Sequence, residues 1–160
     1  MQDFEIFQLE VGGGTLALSP MPGRGGAFAQ DLAKLRAWNP AIVVTMVEPQ
    51  ELVAKGADLL QSSLQDAKWV HFPIPDYEIP SALQDTEWPA VQSDLLQALG
   101  RGERVLVHCM GGCGRSGMAV LRLMIAAGDA PDVALDKLRK VRPYAVETEA
   151  QLNWAFGQVD

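Results

Sequence analysis

Short, mostly apolar runs recur along this sequence, and they predict strands. The runs at 41–47 and 104–108 are rich in valine or isoleucine, as expected of strands that are buried on both faces. A further run at 69–74 ends among prolines, and the runs at 4–11 and 15–18 flank a triple glycine that is typical of a hairpin turn. The sequence therefore predicts five strands, of which the first two form a hairpin.

Between and after these runs, apolar residues recur at the spacing of an amphipathic helix. The predicted helices cover 28–38, a short segment opening at Pro49, 85–99, 116–127, a segment opening at Pro131, and a last one opened by the capping box Thr148-x-x-Gln151. Strands that alternate with helices, followed by helices alone, indicate an α/β fold with a mostly parallel central sheet flanked by helices. Nearly half of the 160 residues are apolar, so we expect a single domain over 1–160.

The charge balance of the chain restricts the kinds of partner that it can bind. The formal net charge is −7, and no cluster of Lys and Arg is present. We therefore expect neither nucleic acid nor a membrane surface as a partner. The amino terminus lacks the features of a signal peptide, and no apolar run approaches the roughly 20 residues that span a bilayer. We expect a cytoplasmic monomer.

Candidate chemistry is concentrated in the glycine-rich segment 107–117, which contains both cysteines, Cys109 and Cys113. Their spacing differs from the disulfide framework of a secreted domain and favours reactive chemistry. Three glycines of the segment fit the dinucleotide fingerprint, but a predicted helix stands where that fold needs a second strand with an acidic end. A Cys-x5-Arg loop that surrounds an oxyanion explains more of the residues.

In this interpretation the small residues of the loop let successive backbone amides turn toward a phosphate, and the following helix directs its N-terminus at the same point. The predicted phosphate-binding positions are Met110, Gly111, Gly112, Cys113, Gly114 and Arg115. Arg115 presents paired donors to two phosphoryl oxygens. Such surroundings favour the thiolate of Cys109, whose pKa we expect to fall from about 8.5 to between roughly 3.5 and 7.5. Ser116 is expected to donate a hydrogen bond to the sulfur when it leaves.

The sequence His108-Cys109-x5-Arg115-Ser116 resembles the signature loop of the cysteine-dependent protein tyrosine and dual-specificity phosphatase superfamily. The likeness is closest to the kinase-associated phosphatase branch and its bacterial relatives. It extends in order through further segments at 22–24, 42–51, 71–80 and 141–151. The resemblance implies a protein tyrosine phosphatase-like fold, a cysteinyl-phosphate intermediate and a phosphorylated protein or peptide as substrate. It also implies that His108 supports the loop by hydrogen bonding, without acting as an acid or a base.

The departing oxygen of a phosphate ester needs a proton, and a positioned acid typically contributes 10²-fold to 10⁴-fold to the rate. Asp76 lies on a proline-bounded loop just after a predicted strand, an arrangement similar to the general-acid loop of small dual-specificity phosphatases. We predict Cys109, Asp76, Arg115 and Ser116 as the catalytic residues. Glu78 is the alternative acid, and a solvated acidic turn is the alternative for both carboxylates.

Neither a metal nor another cofactor is expected, because Arg115 and the loop amides would supply the charge stabilisation. His71 and His108 are too scattered to form a ligand cluster. Compared with the larger tyrosine-specific phosphatases, the chain lacks the long amino-terminal loop with its tyrosine. The resemblance therefore implies a shallower site, compatible with phosphoserine and phosphothreonine as well as phosphotyrosine. The absence of lysine from the loop makes inositol phospholipids less favoured substrates.

Two other functions share an oxyanion loop with a cysteine. One is a sulfurtransferase or arsenate reductase, and the other is a phosphoprotein-binding module without catalysis. Arg115-Ser116 together with Asp76 argues against the first, and the presence of Cys109, Arg115 and Asp76 argues against the second. Arg24 is a candidate for substrate contact, and Gln151 is a candidate for orienting the hydrolytic water, although the capping box already accounts for Gln151.

Overall fold

A computed structural model describes residues 4–157 and contains one five-stranded sheet. The strands are β1 Phe7–Val11, β2 Gly14–Ser19, β3 Ile42–Thr45, β4 Lys68–His71 and β5 Arg104–His108. Their order in the sheet is β1-β2-β5-β3-β4. β1 pairs antiparallel with β2, and all the other neighbouring strands are parallel. The predicted mostly parallel α/β fold is confirmed.

Seven helices surround this sheet in the described part of the chain. They are α1 Phe28–Trp38, α2 Pro49–Ala54, α3 Leu60–Ser63, α4 Ala82–Gly100, α5 Gly114–Ala126, α6 Pro131–Val141 and α7 Glu149–Ala155. None of these helices, within residues 4–157, has both the length and the apolar character that crossing a membrane requires. α5 is the most deeply buried of the helices near the signature sequence, because almost all its residues from Gly114 to Met124 lie in the core.

The carboxyl ends of the parallel strands form one level row across the sheet. His108 at the end of β5 is in register with Ser19 of β2 and with Thr45 of β3, and Thr45 is in register with His71 of β4. Ligands of open α/β sheets bind outside these strand ends. The loops that follow β4 and β5, which contain the predicted catalytic residues, therefore lie at this edge of the sheet.

The hairpin follows the prediction at its turn and is shorter at its start. Gly12 and Gly13 both have positive φ angles, 61° and 98°, as a two-residue turn matched to strand twist requires. β1 begins at Phe7, not at Phe4. Continued beyond the pairing of Phe7 with Leu18, the register would place Ile6 opposite Ser19, the last residue of β2, and Glu5 opposite Pro20. Proline has no N–H to donate to a strand ladder.

Several other predicted boundaries were wrong by a few residues. The predicted strands at 41–47 and 69–74 leave the regular ladder after Thr45 and His71, although the Ile74 N–H still donates to the Met46 carbonyl at 3.1 Å. α5 begins at Gly114, two residues before the predicted start, because the Gly117 N–H donates to the Cys113 carbonyl and closes the first turn there. α3 was not predicted at all.

Candidate active site

The predicted oxyanion loop occupies residues 109–115, named here the signature loop, between the end of β5 and the first turn of α5. Gly112 has a φ of 74°, and a Cβ added there would lie 2.5 Å from the backbone nitrogen of Pro20. A Cβ added at Gly114 would overlap the carboxylate of Glu147. Gly112 is thus required both by backbone conformation and by close approach of the backbone, whereas at Gly114 a larger residue would displace the Glu147 side chain.

Carbonyl groups along the signature loop are bound by donors outside it. The carbonyl of Met110 accepts from the Met21 N–H at 3.0 Å. Those of Gly111 and Gly112 accept from the Arg142 guanidinium at 2.8 and 3.2 Å, and that of Cys113 accepts from the Val146 N–H at 2.9 Å. In a trans peptide the next N–H points away from the carbonyl. The amides of residues 111–114 therefore point away from these outer donors, toward the other side of the loop.

The two cysteines have different surroundings. The Cys109 side chain is 2% exposed, and its Sγ lies 3.2 Å from the hydroxyl oxygen of Ser116. Cys113 is the N-cap residue of α5 and is half-buried, and this burial raises the pKa of its thiol. A raised pKa keeps Cys113 protonated at neutral pH. Of the two thiols, only that of Cys109 has the hydroxyl partner that the sequence predicts for a leaving sulfur.

His108 is fully buried and belongs to a hydrogen-bond chain that ends at the half-buried Trp69. Burial, together with the nearby positive charge of Arg115, lowers the pKa of His108 from 6.5 to about 4, so the imidazole is neutral. Its Nδ1 lies 3.2 Å from the Cys109 carbonyl, which only accepts, so Nδ1 carries the proton. Nε2 then accepts from the Thr45 hydroxyl at 2.7 Å, and that oxygen accepts from the Trp69 indole at 2.7 Å. The chain fixes the backbone at Cys109.

Arg115 is 1% exposed, and its guanidinium is held mainly by a carboxylate. Nη1 and Nη2 donate to the two carboxylate oxygens of Glu51 at 2.8 and 2.9 Å, and Nη1 also donates to the Ile74 carbonyl at 2.8 Å. Burial disfavours the charged guanidinium, but the hydrogen bonds to Glu51, together with the electrostatic effects of Cys109, Glu51 and Asp76, raise the pKa of Arg115. The same pair lowers the pKa of Glu51, against the effect of its partial burial. Arg115 Nε has no hydrogen-bond partner among residues 4–157.

Asp76 and Glu78 lie on the segment 73–80, named here the acid loop. A carboxylate oxygen of Asp76 lies 3.4 Å from Nη2 of Arg115 and accepts from the Tyr77 N–H at 3.0 Å. Tyr77 has a φ of 66°, which marks a sharp turn directly after Asp76. The Glu78 side chain is exposed, and it is the Glu78 backbone carbonyl that is bound, by Gln151 at 3.2 Å. The structure thus brings Asp76, and not Glu78, to Arg115.

Arg24 lies at the edge of the signature loop. One of its guanidinium nitrogens lies 4.0 Å from the position that a Cβ on Gly111 would occupy. The loop that carries Arg24 is fixed by the buried carboxylate of Asp31, which accepts from the Gly23 N–H at 2.8 Å. The predicted contact of Arg24 with substrate is sterically compatible with this position and stays a prediction.

Comparison with known proteins places the chain in a family. The family model described as Swiss Army Knife protein, DSP-PTPase phosphatase domain, matches residues 24–154. The chain belongs to this family. The mouse protein named cyclin-dependent kinase inhibitor 3 is 36% identical over 86 residues, which cover 52% of this chain and 39% of the relative. Mouse tyrosine-protein phosphatase non-receptor type 18 is 33% identical over 94 residues, 53% of this chain and 20% of the relative. The matches thus span well under half of these curated relatives.

Solved structures of phosphatases have the same fold as this DSP-PTPase family member. A crystal structure of Tk-PTP in the active form is 31% identical, with a TM-score of 0.71, and the alignment covers 96% of this chain and 98% of Tk-PTP. A kinase associated phosphatase whose catalytic site cysteine is substituted by serine superimposes with a TM-score of 0.82 over 97% of this chain and 93% of the other, at 22% identity. The predicted superfamily is confirmed.

Three residues of this DSP-PTPase site had no predicted role. Glu51 binds Arg115, Thr45 binds His108, and Arg142 binds the carbonyls of the signature loop. A signal for Glu51 was present, because a buried arginine needs a carboxylate partner and Glu51 stands at the third position of a proline-initiated helix. Arg142 lies in the segment 141–151 that carries the family resemblance, but the sequence alone does not predict its contact with the signature loop.

Proposed function

We propose that this chain hydrolyses phosphate monoesters on phosphorylated protein side chains, through a phosphate bound covalently to Cys109. The observation that carries the proposal is the contact of Asp76, from the acid loop, with Arg115 of the signature loop, where Cys109 also lies beside Ser116. Cys109 Sγ lies 3.2 Å from the Ser116 hydroxyl, and a carboxylate oxygen of Asp76, on the acid loop, lies 3.4 Å from Nη2 of Arg115. These contacts support the proposal that one site holds a nucleophile, a leaving-group donor, an oxyanion donor and an acid.

In the first step the Cys109 thiolate attacks phosphorus and the bond between phosphorus and the ester oxygen breaks. Arg115 and the amides of the signature loop would hold the phosphoryl oxygens during this displacement, as electrostatic stabilisation of phosphoryl transfer requires. Protonated Asp76 gives its proton to the departing oxygen, so the side chain leaves as a neutral hydroxyl. The products of this step are the dephosphorylated side chain, the cysteinyl phosphate and the Asp76 carboxylate.

In the second step water attacks the phosphorus of the cysteinyl phosphate. Asp76 accepts a proton from this water, the sulfur–phosphorus bond breaks, and Cys109 leaves as a thiolate that accepts a hydrogen bond from Ser116. Inorganic phosphate is released, and Asp76 is again protonated for the next cycle. The 3.2 Å distance between sulfur and hydroxyl supports the proposed role of Ser116 in stabilising the leaving thiolate.

The ion pair between Asp76 and Arg115 would change partners when a phosphate binds. In the absence of substrate the Asp76 carboxylate interacts with Nη2 of Arg115 at 3.4 Å. A phosphate that takes this guanidinium donor places its own negative charge beside Asp76. Substrate binding would therefore release Asp76 from Arg115.

The proposed substrates are phosphotyrosine and, through a shallow site, phosphoserine and phosphothreonine in proteins or peptides. All residues from Pro75 to Ile79 are exposed, so the acid loop stands at the surface and does not close a deep pocket. We propose that residues 1–160 act as one phosphatase domain, and that the catalytic work is done by the protein's own groups without a metal.

The experiment that tests this function is a hydrolysis assay on phosphotyrosine, phosphothreonine and inositol phosphate substrates, followed by acid quenching during turnover. We expect hydrolysis of the phosphopeptides and a single phosphoryl group on the peptide that contains Cys109. Vanadate should inhibit competitively, and EDTA should have no effect. Binding of phosphopeptides without turnover would contradict the proposal in favour of a binding module. Loss of activity in EDTA would show that a metal had been missed.

A further inference from the structure

Three helices near the site begin with a capping box, in which the side chain of the third helical residue accepts a hydrogen bond from the backbone N–H of the N-cap residue. The side chains are Glu51 of α2, Gln84 of α4 and Gln151 of α7. A capping box needs only an acceptor from this side chain. Each of these residues has a further polar atom, and Glu51 uses its atoms to hold Arg115. The two glutamines each have an amide NH₂ group left over.

Both amide groups are directed to the acid loop, at opposite sides of Asp76. Gln84 accepts from the Ser81 N–H through Oε1 at 3.0 Å, and its Nε2 donates to the Pro73 carbonyl. Gln151 accepts from the Thr148 N–H through Oε1 at 3.2 Å, and its Nε2 donates to the Glu78 carbonyl at 3.2 Å. Gln151 has no exposed surface, so its amide is fixed in this orientation. Two independent helices thus bind the loop three residues before and two residues after Asp76.

We propose that Gln84 and Gln151 are positioning residues that hold both ends of the acid loop and thereby fix Asp76 opposite the signature loop. The inference rests on the proposed function, because it assigns a purpose to the position of the acid. Between the two bonds, Ile74 is buried, but the residues from Pro75 to Tyr77, which include Asp76, are exposed and have little packing to hold them. An acid that is already in place before substrate binds avoids the entropy loss of ordering it during the reaction. Through the two capping glutamines, the N-termini of α4 and α7 therefore hold the loop that carries the proton donor.

Replacing either glutamine by glutamate separates its capping of the helix from its hydrogen bond to the acid loop. A carboxylate still accepts from the N-cap N–H, so the capping box is kept, but it has no hydrogen to donate to the Pro73 or Glu78 carbonyl. Ser81→Ala and Thr148→Val are the matched controls. They remove the N-cap hydroxyl that accepts from the Gln84 or Gln151 backbone N–H and leave the amide donor intact. The controls weaken the same helix ends without releasing the loop.

The measurement is kcat on phenyl phosphate divided by kcat on 4-nitrophenyl phosphate. Phenolate is the poorer leaving group, so only the first rate depends strongly on the acid. We expect this ratio to fall about tenfold in Gln84→Glu and in Gln151→Glu, part of the roughly 10²-fold that removal of Asp76 should give. The ratio should stay at the wild-type value in Ser81→Ala and Thr148→Val. Any effect of the added charge on phosphate binding acts on both substrates and cancels.

Gln84→Met and Gln151→Met are neutral and should lower the same ratio, which keeps the test valid if a glutamate variant does not fold. An unchanged ratio in folded glutamine variants would overturn the inference, as would an equal fall in the serine and threonine controls. Either result leaves the proposed function standing as long as the wild type hydrolyses both esters. A wild type that hydrolyses neither ester would instead contradict the proposed function itself.

Discussion

The signature loop and the acid loop face each other across the site and are built in opposite ways. In the signature loop, Cys109, Gly112 and Arg115 are buried, and outer donors bind the carbonyls. In the acid loop, the five residues from Pro75 to Ile79 are exposed. The acid loop is held by side chains that reach its backbone from other elements, including Arg115 at Ile74. The signature loop is fixed by burial of these residues and by donors along its carbonyls, and the acid loop is held at a few points.

This difference corresponds to the chemistry proposed for each side. Hydrogen-bond donors aimed at a developing charge are most effective when they are fixed and shielded from water. An acid that passes its proton to a departing group and then activates water needs access to both. Enclosure of the nucleophile and exposure of the acid would therefore serve the one proposed reaction. Substitutions in the signature loop should affect activity or stability, whereas substitutions in the acid loop should affect activity alone.

The largest effect is expected from Cys109→Ser on the enclosed side. A serine hydroxyl stays protonated where a thiolate would form, so kcat on 4-nitrophenyl phosphate should fall by at least about 10³-fold. The melting temperature should change little, because the two side chains are similar in size. Residual activity above a hundredth of the wild type would rule out the covalent mechanism.

Gly112→Ala tests how tightly the signature loop is enclosed. A Cβ at this position would lie 2.5 Å from the Pro20 nitrogen, and the φ of 74° is unfavourable for alanine. We expect the free energy of unfolding to fall by about 4 kcal/mol in urea titrations, from backbone strain together with overpacking. Gly26→Ala is the control, because its φ is also positive but no atom lies within 4 Å of an added Cβ. An equal loss of unfolding free energy in both variants would mean that the positive φ alone, and not close packing, makes glycine necessary at position 112.

The buried imidazole beneath Cys109 should make this side of the molecule sensitive to acid. The unfolded chain binds a proton at His108 near pH 6.5, whereas the folded protein does so only near pH 4. The unfolded state therefore gains a proton first, and stability falls as pH drops from 6.5 to 4, by roughly 3 kcal/mol from this group. The contribution is fully present above pH 6.5, and the additional loss stops below pH 4.

His108→Asn removes the titrating ring while an amide N–H still reaches toward the Cys109 carbonyl. The stability of this variant should depend less steeply on pH between 6.5 and 4 than that of the wild type. Denaturant unfolding at several pH values measures the difference. Parallel curves for the two proteins would contradict a neutral, buried imidazole.

Asp76→Ala tests the exposed side, where we expect loss of chemistry without loss of stability. Hydrolysis of phenyl phosphate should fall roughly 10²-fold, and hydrolysis of an ester with a good leaving group should fall much less. Glu78→Ala is the matched control on the same loop, and it should retain the wild-type ratio of the two rates. If Glu78→Ala shows the selective loss instead, the acid has been misassigned.

The sequence predicted the fold well where a residue pattern marks a strand or turn, and less well where a single hydrogen bond sets the boundary of a helix. The apolar run at 104–108 and the glycine turn at 12–13 were located closely, because burial and positive φ leave clear traces in residue type. The start of α4 was placed at Asp85, although the helix begins at Ala82. The capping box of Ser81 and Gln84 fixes this end, and its two residues are common in any polar loop.

In the candidate site, residues that are contiguous in sequence were predicted, and residues that are distant in sequence were missed. Cys109, Arg115 and Ser116 were predicted together because one loop carries them all. Glu51 and Thr45 come from other strands and helices, so their contacts exist only after the chain has folded. The predicted roles of Cys109, Arg115, Ser116 and Asp76 stay predictions until the proposed variants are measured.

Nε of Arg115 has no partner among the residues that the structure describes, and this has a consequence for the protein before it binds substrate. A buried donor without a partner costs about 1 to 3 kcal/mol, and an oxyanion that accepts from it would recover this free energy. Inorganic phosphate, the product of the proposed reaction, carries the oxygens that such a donor needs. A ligand that binds only the folded state shifts the unfolding equilibrium in its favour. Product inhibition and thermal stabilisation by phosphate would then share one origin, and under phosphate-rich conditions the molecule would rest with its own product bound.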